Sequence, residues 1–158
     1  MELVNVDTGL EVKFDEVENM SRRVASALAR RGFKRGDTLY FVTFESVRIY
    51  VILLAVWRLG GCIQGWFQRD KAENYAKQMR QSKTKFVLMD EETSPLMNES
   101  IKLYQCEVMR ISFGNVEGTT QVDELFEDDG SGIWGFYSKM IYKYISKLEE
   151  ISNQKLKI

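Results

Sequence analysis

The amino-acid sequence predicts an α/β fold, in which helices cover both faces of a mostly parallel β-sheet in an α/β/α layered arrangement. Between residues 14 and 112, segments with the three-and-four spacing of amphipathic helices alternate with short β-rich segments. Residues 38–44 are apolar on both faces, which is typical of a parallel strand buried between two helix layers. Alternation of this kind implies right-handed crossovers within one layered domain.

The first predicted helix follows Asp15, which has the spacing of an N-cap residue paired with Glu18. Gly32 is expected to end this helix in a left-handed conformation, and Gly36-Asp37 to form the turn into the strand at 38–44. The apolar face of the helix consists of Val17, Met20, Val24 and Leu28.

The same alternation continues to residue 112. A second helix is predicted over 47–58 and closed by Gly60-Gly61, and a short strand follows over 62–67. Ala72, Tyr75, Ala76 and Met79 mark a third helix, before a strand at 85–89. Ser94-Pro95 begins a fourth helix that runs through Leu103, because proline fits the first helical turn. A strand at 107–112 completes the series.

The chain changes character after Ser112, and we divide it into a domain at 1–131 and a helical tail at 132–158. Residues 114–132 are polar and predict a connecting loop with a short turn at 122–126. The tail is predicted to be an amphipathic helix, and three roles stay open for it: docking on the domain, self-association, or contact with a membrane surface. Its apolar stripe consists of Trp134, Tyr137, Ile141, Tyr144, Leu148 and Ile151.

Composition excludes several classes of protein. A net charge of −1 gives no basic face for nucleic acid, and no apolar run approaches the length of a transmembrane segment of about 20 residues. The N-terminus lacks the features of a secretory signal and the C-terminus is not Ser-Lys-Leu, so we expect a cytoplasmic location. The chain has no histidine, and no metal site is expected. Cys62 and Cys106 stand in apolar runs and are expected to be buried free thiols.

Three segments carry a resemblance to a known family. Arg22-Arg23-Val24-Ala25 with Leu28, residues 32–37, and residues 54–61 resemble the opening of the AMP-forming acyl-CoA synthetase superfamily, which includes 4-coumarate–CoA ligases and firefly luciferase. The resemblance covers roughly residues 6–131. It implies the first subdomain of the adenylating-enzyme fold. It also implies a parent reaction in which ATP, Mg²⁺ and coenzyme A convert a fatty or aromatic acid to its thioester.

The residues that resemble the family are scaffold positions, so we assign no catalytic, cofactor-binding or metal-binding residue. The family holds ATP phosphates with a loop that ends in Gly-x-Pro-Lys, whereas the one proline of this chain is Pro95. Gly118-Thr119-Thr120 echoes the middle of that loop but is expected to be a plain turn. The chain departs from the family at Glu45-Ser46 and at residues 65–69.

The interpretation is therefore a truncated acyl-CoA synthetase-like chain that is inactive alone and needs no cofactor of its own. The alternative is a non-catalytic α/β module that binds itself or a full-length relative through the stripe on the tail. A weaker option is an unrelated flavodoxin-like domain.

Two further segments have features of ligand-binding sites. Residues 32–36 have the glycines of a phosphate loop, but they follow a helix, whereas a dinucleotide-binding loop follows a strand. Asp90-Glu91-Glu92 comes directly after a predicted strand, at the end where ligands bind in open α/β sheets. This acidic segment is interpreted either as a cation site or as a solvated loop.

Overall fold

The computed structural model describes residues 2–4, 9, 11–45, 47–66 and 70–133. Five helices and seven strands lie within these ranges. In chain order they are β1 (Glu2–Val4), β2 (Glu11–Lys13), α1 (Phe14–Arg30), β3 (Thr38–Val42), α2 (Arg48–Arg58), β4 (Cys62–Trp66), α3 (Ala72–Ser82), β5 (Phe86–Asp90), α4 (Ser94–Tyr104), β6 (Met109–Phe113), β7 (Thr120–Gln121) and α5 (Val122–Phe126).

Five strands form one parallel sheet in the order β4-β3-β5-β6-β7. The earliest of these strands, β3, lies between the second and the third, so the chain winds first to one side of β3 and then to the other. This is a doubly wound sheet with its topological switch point between β3 and β5. The predicted parallel α/β fold is confirmed. A separate antiparallel hairpin of β1 and β2, which the sequence analysis did not predict, precedes α1.

Two cores lie on opposite faces of the sheet, which explains why its strands are apolar on both sides. The residues of β3 alternate: Leu39 and Phe41 belong to the core under α1 and α2, while Tyr40 and Val42 belong to the core under α3 and α4. The same alternation holds in β5, where Leu88 faces the first core and Val87 the second. The result is the α/β/α layering expected from the sequence.

The predicted N-cap at Asp15 is wrong. Helix α1 begins at Phe14, and its N-cap residue is Lys13, whose side chain forms no capping hydrogen bond. The reason is that β2 ends at Lys13 and α1 begins at the next residue. The extended backbone of Lys13 therefore fixes where the helix starts. Asp15 lies instead in the first turn, where a carboxylate interacts favourably with the helix dipole.

Glycines end two helices as predicted, and glycine is required for two different reasons: a positive φ at some positions and lack of space for a Cβ at another. Gly32, Gly36 and Gly60 have positive φ, at +89°, +84° and +67° respectively. Gly61 does not, and it is required for space, because a Cβ there would lie 2.5 Å from the ring of Phe33. The close approach lets Gly61 donate its N–H to Val56 O at 3.0 Å and start β4 beside the end of α2.

The segment predicted as a connecting loop contains two regular elements, so that prediction is only partly right. β7 extends the sheet beside β6, and the predicted short turn at 122–126 is the helix α5. Gln121 N donates a 3.1 Å hydrogen bond to Glu124 Oε1 at the start of α5, and Val122 and Leu125 are buried. Burial of these two side chains against the first core is what orders the segment.

A polar stripe on α1 holds the last described loop. Arg22, Ser26 and Arg30, four residues apart on one face of the helix, form what we term the α1 clamp. Arg22 Nη1 donates to Gly130 O at 3.1 Å, and Ser26 Oγ accepts the N–H of Gly132 at 2.8 Å. The Arg30 guanidinium pairs with Asp128 at 3.4 Å and Asp129 at 2.8 Å, and donates to Ser131 Oγ at 2.6 Å.

The predicted tail helix lies outside the described residues, as do all six residues of its stripe: Trp134, Tyr137, Ile141, Tyr144, Leu148 and Ile151. Among the helices that are described, none combines the length and apolar character needed to cross a bilayer.

Candidate functional site

The loops that follow β3, β5 and β6 meet at the carboxyl edge of the sheet, where the switch point places ligands in doubly wound domains. Asp90, the last residue of β5, lies at this edge beside the end of β3. Its carboxylate accepts the Thr43 hydroxyl at 2.9 Å and the N–H groups of Phe44 at 2.6 Å and Thr93 at 2.8 Å. Asp90 thereby ties together the ends of two neighbouring strands.

Thr93 completes this network from the loop that follows β5. Its hydroxyl donates to Val42 O at 2.8 Å and accepts the N–H of Asp90 at 3.0 Å, so it bridges β3 and β5. The side chain of Thr93 is buried. The polar groups of Asp90 and Thr93 at the switch point are therefore engaged in hydrogen bonds within the chain.

Glu45, one of the departures from the family pattern, organises the start of α2. Its Oε1 accepts the N–H groups of Val47 at 3.1 Å and Arg48 at 3.3 Å, which would otherwise be unpaired at a helix N-terminus. The Arg48 guanidinium lies 5.0 Å from the centre of the Phe113 ring and donates to Asp123 Oδ1 at 2.9 Å. Glu45 and Arg48 thus join α2, β6 and α5 at the carboxyl edge.

The sequence leaves two interpretations of the acidic segment 90–92, a cation site or a solvated loop, and its geometry favours a structural role. Asp90 accepts the three hydrogen bonds above, and Glu91 Oε1 accepts the N–H of Asn115 at 2.6 Å. Among the described residues, no group of three or more His, Cys, Asp or Glu side chains is placed to hold a metal ion. The carboxylates therefore fix the loops that follow β5 and β6.

The threonine-containing segment at 118–120 forms a turn that leads into β7. Gly118 has a φ of +70°, and Thr119 Oγ1 donates to Val116 O at 2.7 Å. Thr119 also shares a 2.6 Å hydrogen bond with the Ser112 hydroxyl. These bonds direct the Thr119 hydroxyl back into its own loop, in agreement with the expected plain turn.

An open groove of about 910 Å³ lies between α4 and the loop that follows β6. Arg110 reaches into it from β6 and donates a 3.4 Å hydrogen bond to Asn98 Oδ1. Sequence reasoning missed this groove, although the four-residue spacing of Ser94, Asn98 and Lys102 could have indicated one wall. The charged lining residues are Glu91, Glu117, Lys102 and Arg110, and their charges balance.

The segment 32–36 connects α1 to β3 and is anchored by Asp37. Asp37 Oδ2 accepts the N–H of Lys34 at 2.8 Å, and Oδ1 accepts Lys85 Nζ at 2.6 Å. Burial alone would raise the pKa of Asp37, but the bonds to Lys85 and to the Lys34 N–H outweigh it and hold the pKa below its usual value. The backbone N–H of Lys34 is thus committed to the turn, as the sequence context implied.

Two tyrosines in the core, Tyr40 of β3 and Tyr75 of α3, have hydroxyl groups that form hydrogen bonds within the chain. Tyr40 OH donates to Gln78 Oε1 at 2.6 Å, and Tyr75 OH accepts the N–H of Asp70 at 2.9 Å. Burial raises the pKa of both phenols, so both stay neutral at physiological pH.

The prediction that both cysteines are buried is wrong. Cys62 and Cys106 are free thiols with exposed side chains. Cys62 begins β4, an edge strand of the sheet, and Cys106 lies in the turn between α4 and β6. Their apolar neighbours in sequence face the cores, while the thiols themselves point away from them.

The model of the AMP-binding enzyme family matches residues 2–135. Solved structures give the same fold. A luciferase-like enzyme from the nonluminescent mealworm Zophobas morio is 20% identical with a TM-score of 0.75, over 82% of this chain and 31% of that chain. A benzoate CoA ligase from Burkholderia xenovorans LB400 is 18% identical with a TM-score of 0.70, over 80% of this chain and 25% of that chain.

An acyl-CoA synthetase from Brucella canis is 20% identical with a TM-score of 0.68, over 82% of this chain and 24% of that chain. This chain therefore spans less than a third of the length of each of these three proteins. No curated protein matches the sequence. The parallel sheet and its flanking helices correspond to the N-terminal subdomain of the adenylating-enzyme fold. Because the family model matches most of the sequence, the chain belongs to the AMP-binding enzyme family.

Proposed function

We propose that this chain supplies the first part of the scaffold of an acid–CoA ligase, and that these 158 residues do not activate a carboxylic acid alone. The parent reaction joins a fatty or aromatic acid to AMP, with release of pyrophosphate, and then transfers the acyl group to coenzyme A. The family match over residues 2–135 carries the proposal. ATP, Mg²⁺ and coenzyme A belong to the proposed reaction of a longer protein.

The proposed inactivity of this chain alone is supported by its sequence and by the hydrogen bonding at the switch point. Pro95 is the one proline, and it lies in the first turn of α4, so no Gly-x-Pro-Lys phosphate loop is present. At the carboxyl ends of β3 and β5, Asp90 and Thr93 already form hydrogen bonds to the chain's own groups. We propose that the carboxyl edge of this sheet supports a nucleotide site whose binding residues belong to a longer protein.

Carboxylate-dependent exchange of labelled pyrophosphate into ATP tests this proposal directly. Purified 158-residue protein is assayed with Mg²⁺ and a panel of aliphatic and aromatic acids, beside a complete acyl-CoA synthetase as the positive control. We expect no exchange above the rate without acid. Robust exchange by the pure chain would show that it contains an adenylating site and would refute the claim of inactivity.

A second observation tests the parent reaction itself. The transcript is sequenced beyond the codon for Ile158 and read for a Ser/Thr/Gly-rich loop that ends in Gly-x-Pro-Lys. Finding the loop supports a ligase of which this chain is the opening part. A stop codon directly after Ile158 would leave the scaffold without its active site and would contradict the ligase assignment for this gene product.

A further inference from the structure

A partly buried arginine lies in the open groove between α4 and the loop that follows β6. Arg110 is paired in register with Val87 of β5, so its side chain leaves the sheet on the face of the second core. In the described part of the chain it forms one long hydrogen bond, 3.4 Å to Asn98 Oδ1, and no salt bridge. An arginine on a core face is usually paired with an anion. Most of the five N–H donors of Arg110 therefore remain available to a ligand.

A second cation lies one helical turn from this contact. Lys102 follows Asn98 by four residues on α4, a rise of about 6 Å, and both residues line the groove. Lys102 is exposed and forms no salt bridge with any described residue. A guanidinium and an ammonium group thus line the same volume, which suits an anion that carries more than one negative charge.

The loop opposite α4 approaches the guanidinium closely. Gly118 has a φ of +70°, and a Cβ at this position would lie 3.0 Å from Arg110 Nη2. Glycine therefore allows both the left-handed turn and the close contact. The carboxylate of Glu91 is held on the loop, where its Oε1 accepts the N–H of Asn115 at 2.6 Å. Glu117, the other carboxylate that lines the groove, is exposed.

We infer that this groove binds a small phosphate monoester through Arg110 and Lys102. A guanidinium donates two parallel N–H bonds to two phosphate oxygens, and a lysine ammonium adds a point charge. The volume of about 910 Å³ is in the range of small-molecule sites. Glu91 and Glu117 disfavour a second anionic group and favour hydroxyl groups on the rest of the ligand. The inference does not depend on the proposed enzymatic function.

An amide NMR titration of the whole 158-residue chain tests the site, with glycerol 3-phosphate as the probe. Sodium chloride keeps the ionic strength constant, because salt screens the general response of exposed charges. We expect saturable shifts centred on Asn98, Lys102 and Gly118. Shifts spread over basic residues outside the groove, or no shifts, would overturn the site. Saturation by acetate at an equal or lower concentration would overturn the assignment to a phosphate monoester.

Substitutions that remove one charge measure the contribution of each cation. Arg110→Gln should weaken binding about tenfold, because charge-assisted hydrogen bonds are lost, and Lys102→Gln about threefold, as befits an exposed charge. Arg35→Gln and Lys77→Gln are the matched controls, because they remove the same charges from exposed positions outside the groove, and they should leave binding unchanged. Equal weakening in variants and controls would show a general charge effect and overturn the inference. If Arg110→Gln does not fold, the comparison of Lys102→Gln with Lys77→Gln decides.

Discussion

Asp90 is expected to be the most sensitive polar position at the carboxyl edge, because one carboxylate pairs groups from two strand ends. Asp90→Ala removes the acceptor of the Thr43 hydroxyl and of the N–H groups of Phe44 and Thr93. A hydrogen bond to a charged group contributes about 1.5–3 kcal/mol. Phe44 is exposed, so water can replace its partner, whereas Thr93 is buried and its N–H loses its partner outright.

We therefore expect Asp90→Ala to lower the free energy of unfolding by about 2–4 kcal/mol. Glu91→Ala is the control, because Glu91 is exposed and accepts one hydrogen bond, from Asn115 N–H. Its cost should be at the low end of the net value of a hydrogen bond, about 0.5–1 kcal/mol.

Urea denaturation followed by circular dichroism measures the free energy of unfolding of both variants. The comparison is valid when the dependence of that free energy on urea concentration is the same in each protein. Asp90→Asn should fall between the wild type and Asp90→Ala, since its amide keeps one acceptor but turns an N–H₂ towards donors. If Asp90→Ala costs no more than Glu91→Ala, the network does not hold the strand ends together.

Two further predictions concern the connections that lead into β3 and β4. Gly36→Ala should cost on the order of 1 kcal/mol, because alanine is strained at a φ of +84° even though nothing lies within 4 Å of the new Cβ. Gly61→Ala should cost more, because its Cβ would lie 2.5 Å from the buried ring of Phe33. Equal melting temperatures for the two variants would contradict this. The lowered pKa of Asp37 predicts that wild type exceeds Asp37→Asn in stability above an unfolded-state pKa near 3.8, and that the difference disappears as pH falls through the still lower folded value. A difference that grows on acidification would contradict the Lys85 pairing.

The parallel sheet was predictable because its strands are covered on both faces. Tyr40 and Phe41 are neighbours in sequence and lie in different cores, and both had to be apolar or aromatic. Helix ends were predictable where one residue sets the geometry, as at Gly32 with its φ of +89°. These features depend on local steric rules and on the period of the hydrophobic pattern.

The missed features depend on pairing between distant residues. The hairpin of β1 and β2 joins two strands of three residues each, too short to show a period of two. The position of Cys62 on an edge strand follows from strand order, which the apolar run around it does not encode. The groove at Arg110 needs α4 and the loop after β6 to approach each other, so the spacing along α4 could predict one wall and not the other.

The α1 clamp also joins two parts of the chain that are far apart in sequence. Arg22 and Gly130 are 108 positions apart and are joined by a hydrogen bond. A contact of this kind closes a long loop of chain, and the entropy of loop closure must be overcome before the contact forms. We therefore expect the clamp to form late in folding, after the sheet between its two halves has assembled.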